Sequence, residues 1–369
     1  MNNKDTIVIH PYLKSLRNEK EYFLDEAINL VKAINLNCLH NNSVGLEKIS
    51  PKTYLNTGFL NTLNKKKQEL NVDLIFINTN LSPIQQRNLE EELNCKVIDR
   101  TGLILEIFGS RARSNEGKLS VMLASLQFQK SRLVRSWTHL ERQRGGAGFM
   151  GGPGEKQIES DKRQLTEQIN RLKKKIKNIN SIRNVQRYRR KKNKIPIISL
   201  VGYTNSGKST LFNKLTKSNV LSKNMLFASL DSTIRKSFFN NVNVLFIDTV
   251  GFIRDLPTTL IDSFKSTLDE IFFSDIILHV RDISNNYYLE HKREVLKILN
   301  EIGVCPNDNR ILEVINKVDL VENQNFYHNK HEAESIFISA KTGFGFEKLK
   351  NRIKQTLSLN DFFLFKQSN

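Results

Sequence analysis

A glycine-rich segment with the spacing G-x-x-x-x-G-K-S follows an apolar run of strand length at residues 195–201. A helical pattern follows at residues 210–215. In such a strand, loop and helix, backbone N–H groups and the helix N-terminus cradle phosphates, so the segment predicts a phosphate-binding loop. We expect Lys208 to neutralise the β and γ phosphates and the Ser209 hydroxyl to ligate Mg²⁺. The loop residues are Gly202, Tyr203, Thr204, Asn205, Ser206, Gly207, Lys208 and Ser209.

A second phosphate element ends the apolar run 244–247 and consists of Asp248, Thr249, Val250 and Gly251. Asp248 can hold Mg²⁺ through water, and Gly251 lets a backbone N–H approach the γ-phosphate, whose loss would release the next segment. The predicted catalytic residues are therefore Lys208, Asp248 and Gly251. The next position is a phenylalanine where Ras-like enzymes have a water-orienting Gln, which predicts slow intrinsic hydrolysis. We hypothesise that a partner, or K⁺ positioned by Asn205, completes the site.

The base-recognition element is predicted at Asn316, Lys317 and Asp319, after the apolar run 310–315. A carboxylate at 319 can accept hydrogen bonds from the N1–H and the exocyclic amine of guanine, a donor pair that adenine lacks. Because the wrong base leaves that carboxylate unpaired, Asp319 predicts preference for GTP over ATP. Asn316 is expected to assist in reading guanine. The residues expected to complete the base pocket are Ser339, Ala340 and Lys341.

A second hydroxyl ligand for Mg²⁺ should lie between the phosphate loop and Asp248. Ser229 is the first choice, and Thr233 is the alternative that the sequence does not exclude. The segment expected to line the nucleotide here consists of Phe227, Ala228, Ser229, Leu230 and Asp231.

The positive charge of the chain is concentrated in its middle. The 369 residues carry a net charge of +19, and the net charges of segments 1–110, 111–194 and 195–369 are 0, +17 and +2. A segment of one sign repels itself unless a polyanion neutralises it, so we expect an RNA partner here rather than DNA or a membrane surface. The predicted RNA-binding residues are Arg142, Arg144, Lys156, Arg187, Arg189, Arg190, Lys191 and Lys192.

The pattern of apolar residues predicts an α/β protein with a helical insertion. Apolar runs at 6–9, 73–78 and 103–108 alternate with helical patterns, which favours an α/β domain at residues 1–110. Two apolar helical faces flank a Gly-rich break at 145–154 and predict an antiparallel hairpin of two helices of about 28 residues each. The expected order is this N-terminal domain, a basic hairpin at 111–194 with a Gly-rich tip, a P-loop GTPase domain with a mostly parallel sheet at 195–360, and a short tail at 361–369.

Other classes of site and location are disfavoured by the sequence. The three cysteines, Cys38, Cys95 and Cys305, are scattered and lack metal-ligand spacing, so we expect neither disulfides nor a zinc site. No apolar stretch approaches the length of a membrane helix, and no secretory signal is visible at residues 1–13, which predicts a cytoplasmic protein without stable membrane insertion. We expect a monomer.

Four motifs resemble those of the HflX family of GTPases, and the resemblance covers nearly the whole chain. They are RARSNEGKL at 111–119, the loop 145–155 ending in GPGE, FASLDSTIR at 227–235 and DTVGFIRDLP at 248–257. The resemblance implies a protein that binds the large ribosomal subunit and splits or rescues stalled ribosomes under stress. It also implies that Ser209 and Ser229 ligate Mg²⁺, although the family usually has Thr at the second position.

Two other functions remain open. A GTPase of ribosomal subunit assembly or tRNA modification would have the same G domain, but the hairpin with its GPGE tip argues against it. A non-enzymatic RNA-binding module is disfavoured because Lys208, Ser209, Asp248 and Asp319 are all present.

Overall fold

The computed structural model describes residues 5–15, 20–143, 153–193, 195–218, 226–227, 230, 232–239, 242–321 and 335–359. The chain divides into two compact units. Unit 1 comprises residues 1–110 and 118–176, and unit 2 comprises residues 111–117 and 177–369.

Unit 1 contains a parallel sheet with strand order β2-β1-β3-β4, in which the strands are β1 (Asp5–Leu13), β2 (Asn37–Leu46), β3 (Leu74–Ile77) and β4 (Lys96–Asp99). The strands alternate with helices that cover the sheet because parallel strands need crossover connections. The helices are α1 (Lys20–Ala33), α2 (Thr57–Leu70), α3 (Pro83–Leu93) and α4 (Arg100–Arg111). The core between sheet and helices includes Ile9, Leu63, Ile75, Leu89 and Val97, all nearly or fully buried.

The apolar run 103–108, expected as a strand, lies in helix α4, so that expectation is wrong. Most residues of α4 are buried, and a helix buried on nearly all sides shows the same continuous apolar run as a buried strand. The carboxylate of Asp99 accepts a hydrogen bond from the Gly102 N–H at 2.9 Å and so caps the first turn of the helix.

Two long helices follow, α5 (Asn115–Gln143) and α6 (Pro153–Lys192). Their seam in unit 1 contains buried Leu123, Leu126, Ile169, Leu172 and Ile176, as the helical pattern predicts. Helix α6 has 40 residues, rather than about 28, and therefore extends about 60 Å. The basic residues beyond 182, whose conformation the sequence left open, continue this helix to Lys192. The predicted Gly-rich tip lies largely outside the described residues.

Unit 2 contains a sheet with strand order β10-β9-β8-β5-β7-β6, in which only β6 is antiparallel to its neighbour among the described strands. The strands are β5 (Ile197–Val201), β6 (Thr233–Phe239), β7 (Val242–Asp248), β8 (Ile276–Asp282), β9 (Ile311–Asn316) and β10 (Ile336–Phe337). The helices are α7 (Lys208–Thr216), α8 (Thr258–Ser263), α9 (Lys265–Phe272), α10 (Tyr288–Glu301) and α11 (Phe346–Leu359). The carboxyl ends of the parallel strands meet at one edge, where α/β sheets bind ligands.

Candidate nucleotide-binding site

The phosphate loop joins β5 to α7. Helix α7 begins at Lys208 and is anchored by buried Leu211, Phe212 and Leu215. Gly207 has a positive φ of 92°, and a Cβ there would lie 2.2 Å from the Asn316 amide nitrogen. The position therefore requires glycine. This local geometry explains why the second glycine of the motif stands immediately before the lysine.

The amino group of Lys208 lies inside the loop. Its Nζ donates hydrogen bonds to the carbonyl oxygens of Gly202 at 3.1 Å and Tyr203 at 2.7 Å. Burial lowers the pKa of Lys208 to about 8, with the charge of Lys317 acting in the same direction and that of Asp248 opposing it. A buried cation with so little compensating negative charge is well suited to bind a polyanion.

Ser209 and Asp248 lie together beside the loop. The Ser209 hydroxyl donates a hydrogen bond of 2.6 Å to Oδ2 of Asp248. Burial raises the pKa of Asp248, although this hydrogen bond and the charge of Lys208 oppose the shift. Among the described residues, Oδ1 of Asp248 is buried and has no hydrogen-bond partner. A buried carboxylate oxygen without a partner, next to a serine hydroxyl, is a donor set that fits Mg²⁺.

Backbone hydrogen bonds hold the Asp248–Gly251 element against the phosphate loop. Thr204 N–H donates to the Phe252 carbonyl at 2.7 Å, and Phe252 N–H donates to the Gly202 carbonyl at 3.1 Å. A Cβ on Gly251 would lie 2.9 Å from Thr204 Cα and 3.1 Å from Lys208 Nζ. Only glycine therefore fits this approach. The Phe252 side chain is fully buried, so this position provides no group that orients water.

Tyr203 adds a contact that the sequence motif did not predict. Its ring stacks on His291 of α10 with centroids 3.7 Å apart and planes within 6°. Its hydroxyl accepts a hydrogen bond of 3.0 Å from the Arg254 N–H. One loop side chain thus joins the segment after Gly251 to α10. The partner at 291 lies far away in sequence and has no motif that identifies it.

On the base side of the site, Asn316 makes two contacts that the sequence did not predict. Both ends of the buried Asn316 amide bind the protein itself, because Nδ2 donates to the Ser206 carbonyl at 2.9 Å and Oδ1 accepts from the Ala340 N–H at 2.9 Å. The Asn316 amide therefore holds two loops together, and its expected role in reading guanine stays a prediction. Lys317 pairs with Asp282 of β8 at 2.6 Å, a partner that the sequence analysis missed.

Asp319 lies in a short 3-10 helix, Val318–Leu320, and its side chain is exposed. It is therefore accessible to a ligand. In the neighbouring loop, the buried Ser339 hydroxyl accepts a hydrogen bond from the Thr342 N–H at 3.0 Å, while Lys341 is exposed. These contacts fix the turn that carries Ala340 toward Asn316.

The second Mg²⁺ ligand stays a prediction because Ala228, Ser229 and Asp231 lie outside the described residues. Nearby, Phe227 and Leu230 are buried. The alternative, Thr233, begins β6 and pairs with Asp248 across the antiparallel ladder.

The predicted RNA contacts on α6 separate into two groups. Arg187 and Arg190 form ion pairs with the buried carboxylate of Glu270 at 3.0 and 3.4 Å, so in this structure they bind protein, and their contact with RNA stays a prediction. Arg189 and Lys192 are exposed, next to Tyr188. Arg144 and the side chains of Arg142, Lys156 and Lys191 lie outside the described part.

A nucleotide site of this geometry at the carboxyl edge of a mostly parallel sheet defines a P-loop GTPase, and comparison with family sequence models gives the same class. The models "GTP-binding GTPase N-terminal", "GTP-binding GTPase Middle Region" and "50S ribosome-binding GTPase" match residues 21–109, 111–190 and 197–317. The chain is 44% identical to GTPase HflX of Magnetococcus marinus, with 93% of this chain and 80% of the relative covered, and 37% identical to GTPase HflX of Escherichia coli K12, with 96% and 83% covered. The chain belongs to the HflX family of GTPases. This confirms the resemblance noted in the sequence and the GTPase activity that it implies.

Solved structures agree with the fold assignment. A GTP-binding protein from the archaeon Sulfolobus solfataricus, crystallised with GDP, is 25% identical with a TM-score of 0.50, and the match covers 96% of this chain and 99% of that one. A structure described as an SsGBP and GDP complex is 27% identical with a TM-score of 0.54, covering 95% and 98%. The predicted α/β class with a parallel-sheet G domain is confirmed. No helix in the described ranges is long and apolar enough to cross a membrane.

Proposed function

We propose that this chain is a GTP-driven switch that binds the large ribosomal subunit and splits or rescues stalled ribosomes under stress. The observation that carries the proposal is the +17 segment at 111–194, directly before an intact G domain. A charge of this size recruits a polyanion, and ribosomal RNA is the polyanion that the description of the matching family model, a 50S ribosome-binding GTPase, suggests.

In the proposed hydrolysis, Lys208 neutralises charge on the β and γ phosphates and the Gly251 N–H contacts the γ-phosphate. The buried hydroxyls of Thr204 and Ser206 have no hydrogen-bond partner in the described part of the chain, which leaves polar groups for a ligand. Ser209 and, through water, Asp248 would hold Mg²⁺, together with Ser229 or Thr233. When bound, Mg²⁺ would neutralise charge that develops on the phosphates.

The activating group is proposed to come from outside the described chain, because Phe252 is buried where an orienting Gln would stand. The ribosomal subunit is the first candidate. Potassium near Asn205, which is exposed in the left-handed conformation with φ 61°, is the second. Either would supply positive charge or orient water near the γ-phosphate.

Purified large ribosomal subunits should stimulate GTP turnover by at least about tenfold, since an activating group supplied in trans can contribute far more than this. The measurement is phosphate release in potassium and in sodium buffer, with and without subunits. Full turnover without subunits and without potassium would refute the proposed activation. If large subunits do not change a slow rate of turnover, the ribosomal function is rejected and the RNA partner must be a different one.

Neutralising Arg189 and Lys192 to Gln together should weaken RNA binding and flatten its salt dependence. Each phosphate contact that is lost should reduce the slope of log affinity against log salt concentration by about 0.9 if the contacted RNA is a duplex, and by less if it is single-stranded. The measurement is binding to large-subunit RNA over a salt series.

The matched control is Lys348→Gln with Lys354→Gln, which removes the same charge from exposed positions on α11. The control should leave the slope nearly unchanged. If both double variants reduced the salt slope equally, RNA binding would depend on the net charge of the protein and not on these residues of α6.

A further inference from the structure

Three arginines form one face of α6 within unit 2. Arg183, Arg187 and Arg190 are four and three residues apart, a spacing that places side chains on the same side of a helix. Arg183 pairs with Glu116 at 2.6 Å, and the other two arginines pair with Glu270 of α9. The arginine face thus binds the start of α5 and a helix of the G domain.

The contact of Glu270 with the two arginines is buried and includes a hydrogen bond. The Glu270 side chain is 2% exposed, and those of Arg187 and Arg190 are 13% and 16% exposed. Arg187 donates a hydrogen bond from Nε at 3.0 Å to Glu270 Oε1, and its guanidinium lies 4.8 Å above the Phe273 ring. Breaking a buried ion pair leaves an uncompensated charge, which is strongly unfavourable. Helices α6 and α9 therefore tend to keep this contact when either of them shifts.

Helix α9 is connected to the nucleotide site through α8. The two helices are separated by Phe264 only, and backbone hydrogen bonds run through it, from Phe264 N–H to the Leu260 carbonyl at 2.9 Å and from Leu268 N–H to the Phe264 carbonyl at 3.0 Å. Helix α8 begins seven residues after Gly251. Helices α8 and α9 thus form one helical piece, which a short non-helical segment joins to Gly251 and which carries Glu270.

The far end of that piece is also fixed to the sheet. The Ser274 hydroxyl donates to the Glu270 carbonyl at 2.7 Å and lies 2.6 Å from the Ser199 hydroxyl of β5. Glu270 is consequently held by its backbone on the G domain and by its carboxylate on α6.

We infer that the contact of Glu270 with Arg187 and Arg190 couples the nucleotide site to residues 177–192 of α6. Glu270 touches neither nucleotide nor Mg²⁺ in this assignment and acts as a positioning residue. Through this contact, the stability of residues 177–192 depends on which nucleotide is bound. Because such coupling is reciprocal, a ligand that binds α6 would in turn change the affinity for nucleotide.

The test is amide hydrogen exchange of residues 177–192 in the full chain, loaded with GDP or with a non-hydrolysable GTP analogue, without ribosomes. Wild type should show exchange rates that differ by at least about threefold between the two nucleotides. Glu270→Gln, which keeps the shape and removes the charge, should abolish that difference, while intrinsic GTP turnover and GDP affinity stay near wild type. Glu347→Gln is the matched control, because it removes the charge of an exposed ion pair with Lys350.

Arg190→Gln is a milder variant that keeps the hydrogen bond from Arg187, so it tests the inference even where Glu270→Gln fails to fold. We expect it to reduce the nucleotide-dependent difference. The inference is overturned by a wild type that shows no such difference, or by a Glu270→Gln or Arg190→Gln variant that retains it. It is equally overturned by a parallel loss of GDP affinity, which would show a purely structural role. The result does not depend on the ribosomal partner, because the measurement contains none.

Discussion

Replacement of Lys208 by Ala should lower GTP turnover by at least about 100-fold, the size of effect found when one preorganised charge-stabilising group is removed from an active site. The Lys208 amino group is buried and held by the carbonyl oxygens of Gly202 and Tyr203. Its orientation is therefore set before nucleotide binds. The measurement is single-turnover phosphate release at saturating GTP. The control is Lys214→Ala, an exposed lysine on the same helix.

The pH dependence of GDP affinity tests the same side chain independently. Since the pKa of Lys208 is lowered to about 8, the amine loses its proton as pH rises through that value in the free protein. Affinity for GDP should then fall from about pH 7 to about pH 9, because only the charged amine attracts phosphate. The decrease should be smaller in Lys208→Ala, which retains any titration of the nucleotide itself. Identical profiles for the two proteins would contradict the assigned contact.

The phosphate half of the site follows from sequence because its chemistry is local. The conformation of Gly207, the position of Lys208 and the strand before them all lie within one short segment, so spacing alone specifies the geometry. Asp248 could be placed as well, since the end of a neighbouring parallel strand must reach the same edge of the sheet.

The contacts that sequence reasoning missed join residues far apart in the chain. Tyr203 stacks on His291, Lys317 pairs with Asp282, and Arg187 binds Glu270. Nothing in the local pattern near either partner identifies the other, because packing of α10, β8 and α9 brings them together. The same limit applies to the basic run at the end of α6, since its sequence does not show that Arg187 lies against the protein.

Two elements of unit 1 are not determined by their local sequence pattern. Strand β2 has the polar sequence NCLHNNSVGL and is mostly exposed or half-buried, so it lacks the apolar run that predicts a strand. Helix α4 is the opposite case, because its continuous apolar run is typical of a buried strand as well. In both cases, the position of the segment relative to the sheet and the layer that covers it decides whether it forms a strand or a helix. The local sequence does not contain that information.

The variant Asp319→Asn should shift nucleotide preference from GTP toward xanthosine triphosphate. The asparagine oxygen can still accept from the guanine N1–H, but without charge assistance, and the asparagine NH2 group then faces the exocyclic amine, which is also a donor. GTP affinity should therefore fall by about 100-fold or more. Xanthine has a carbonyl oxygen in place of the exocyclic amine, and the asparagine amide can donate to it. The exposed position of Asp319 leaves its side chain free to turn toward a base. The measurement is competition of both nucleotides for a fluorescent guanine nucleotide on wild type and variant.

Asp262→Asn is the matched control, since it makes the same chemical change at an exposed residue of α8. It should leave both affinities near wild type.

A comparison of Asp319→Asn with a substitution at Asn316 separates recognition of the base from positioning of the loops. A substitution at Asn316 would release the contacts to Ser206 and Ala340, and should weaken GTP and xanthosine triphosphate alike. If Asp319→Asn also weakened both nucleotides equally, the carboxylate would be shaping the pocket rather than reading guanine. Only an inverted preference supports direct recognition, because no rearrangement of the phosphate site distinguishes one base from the other.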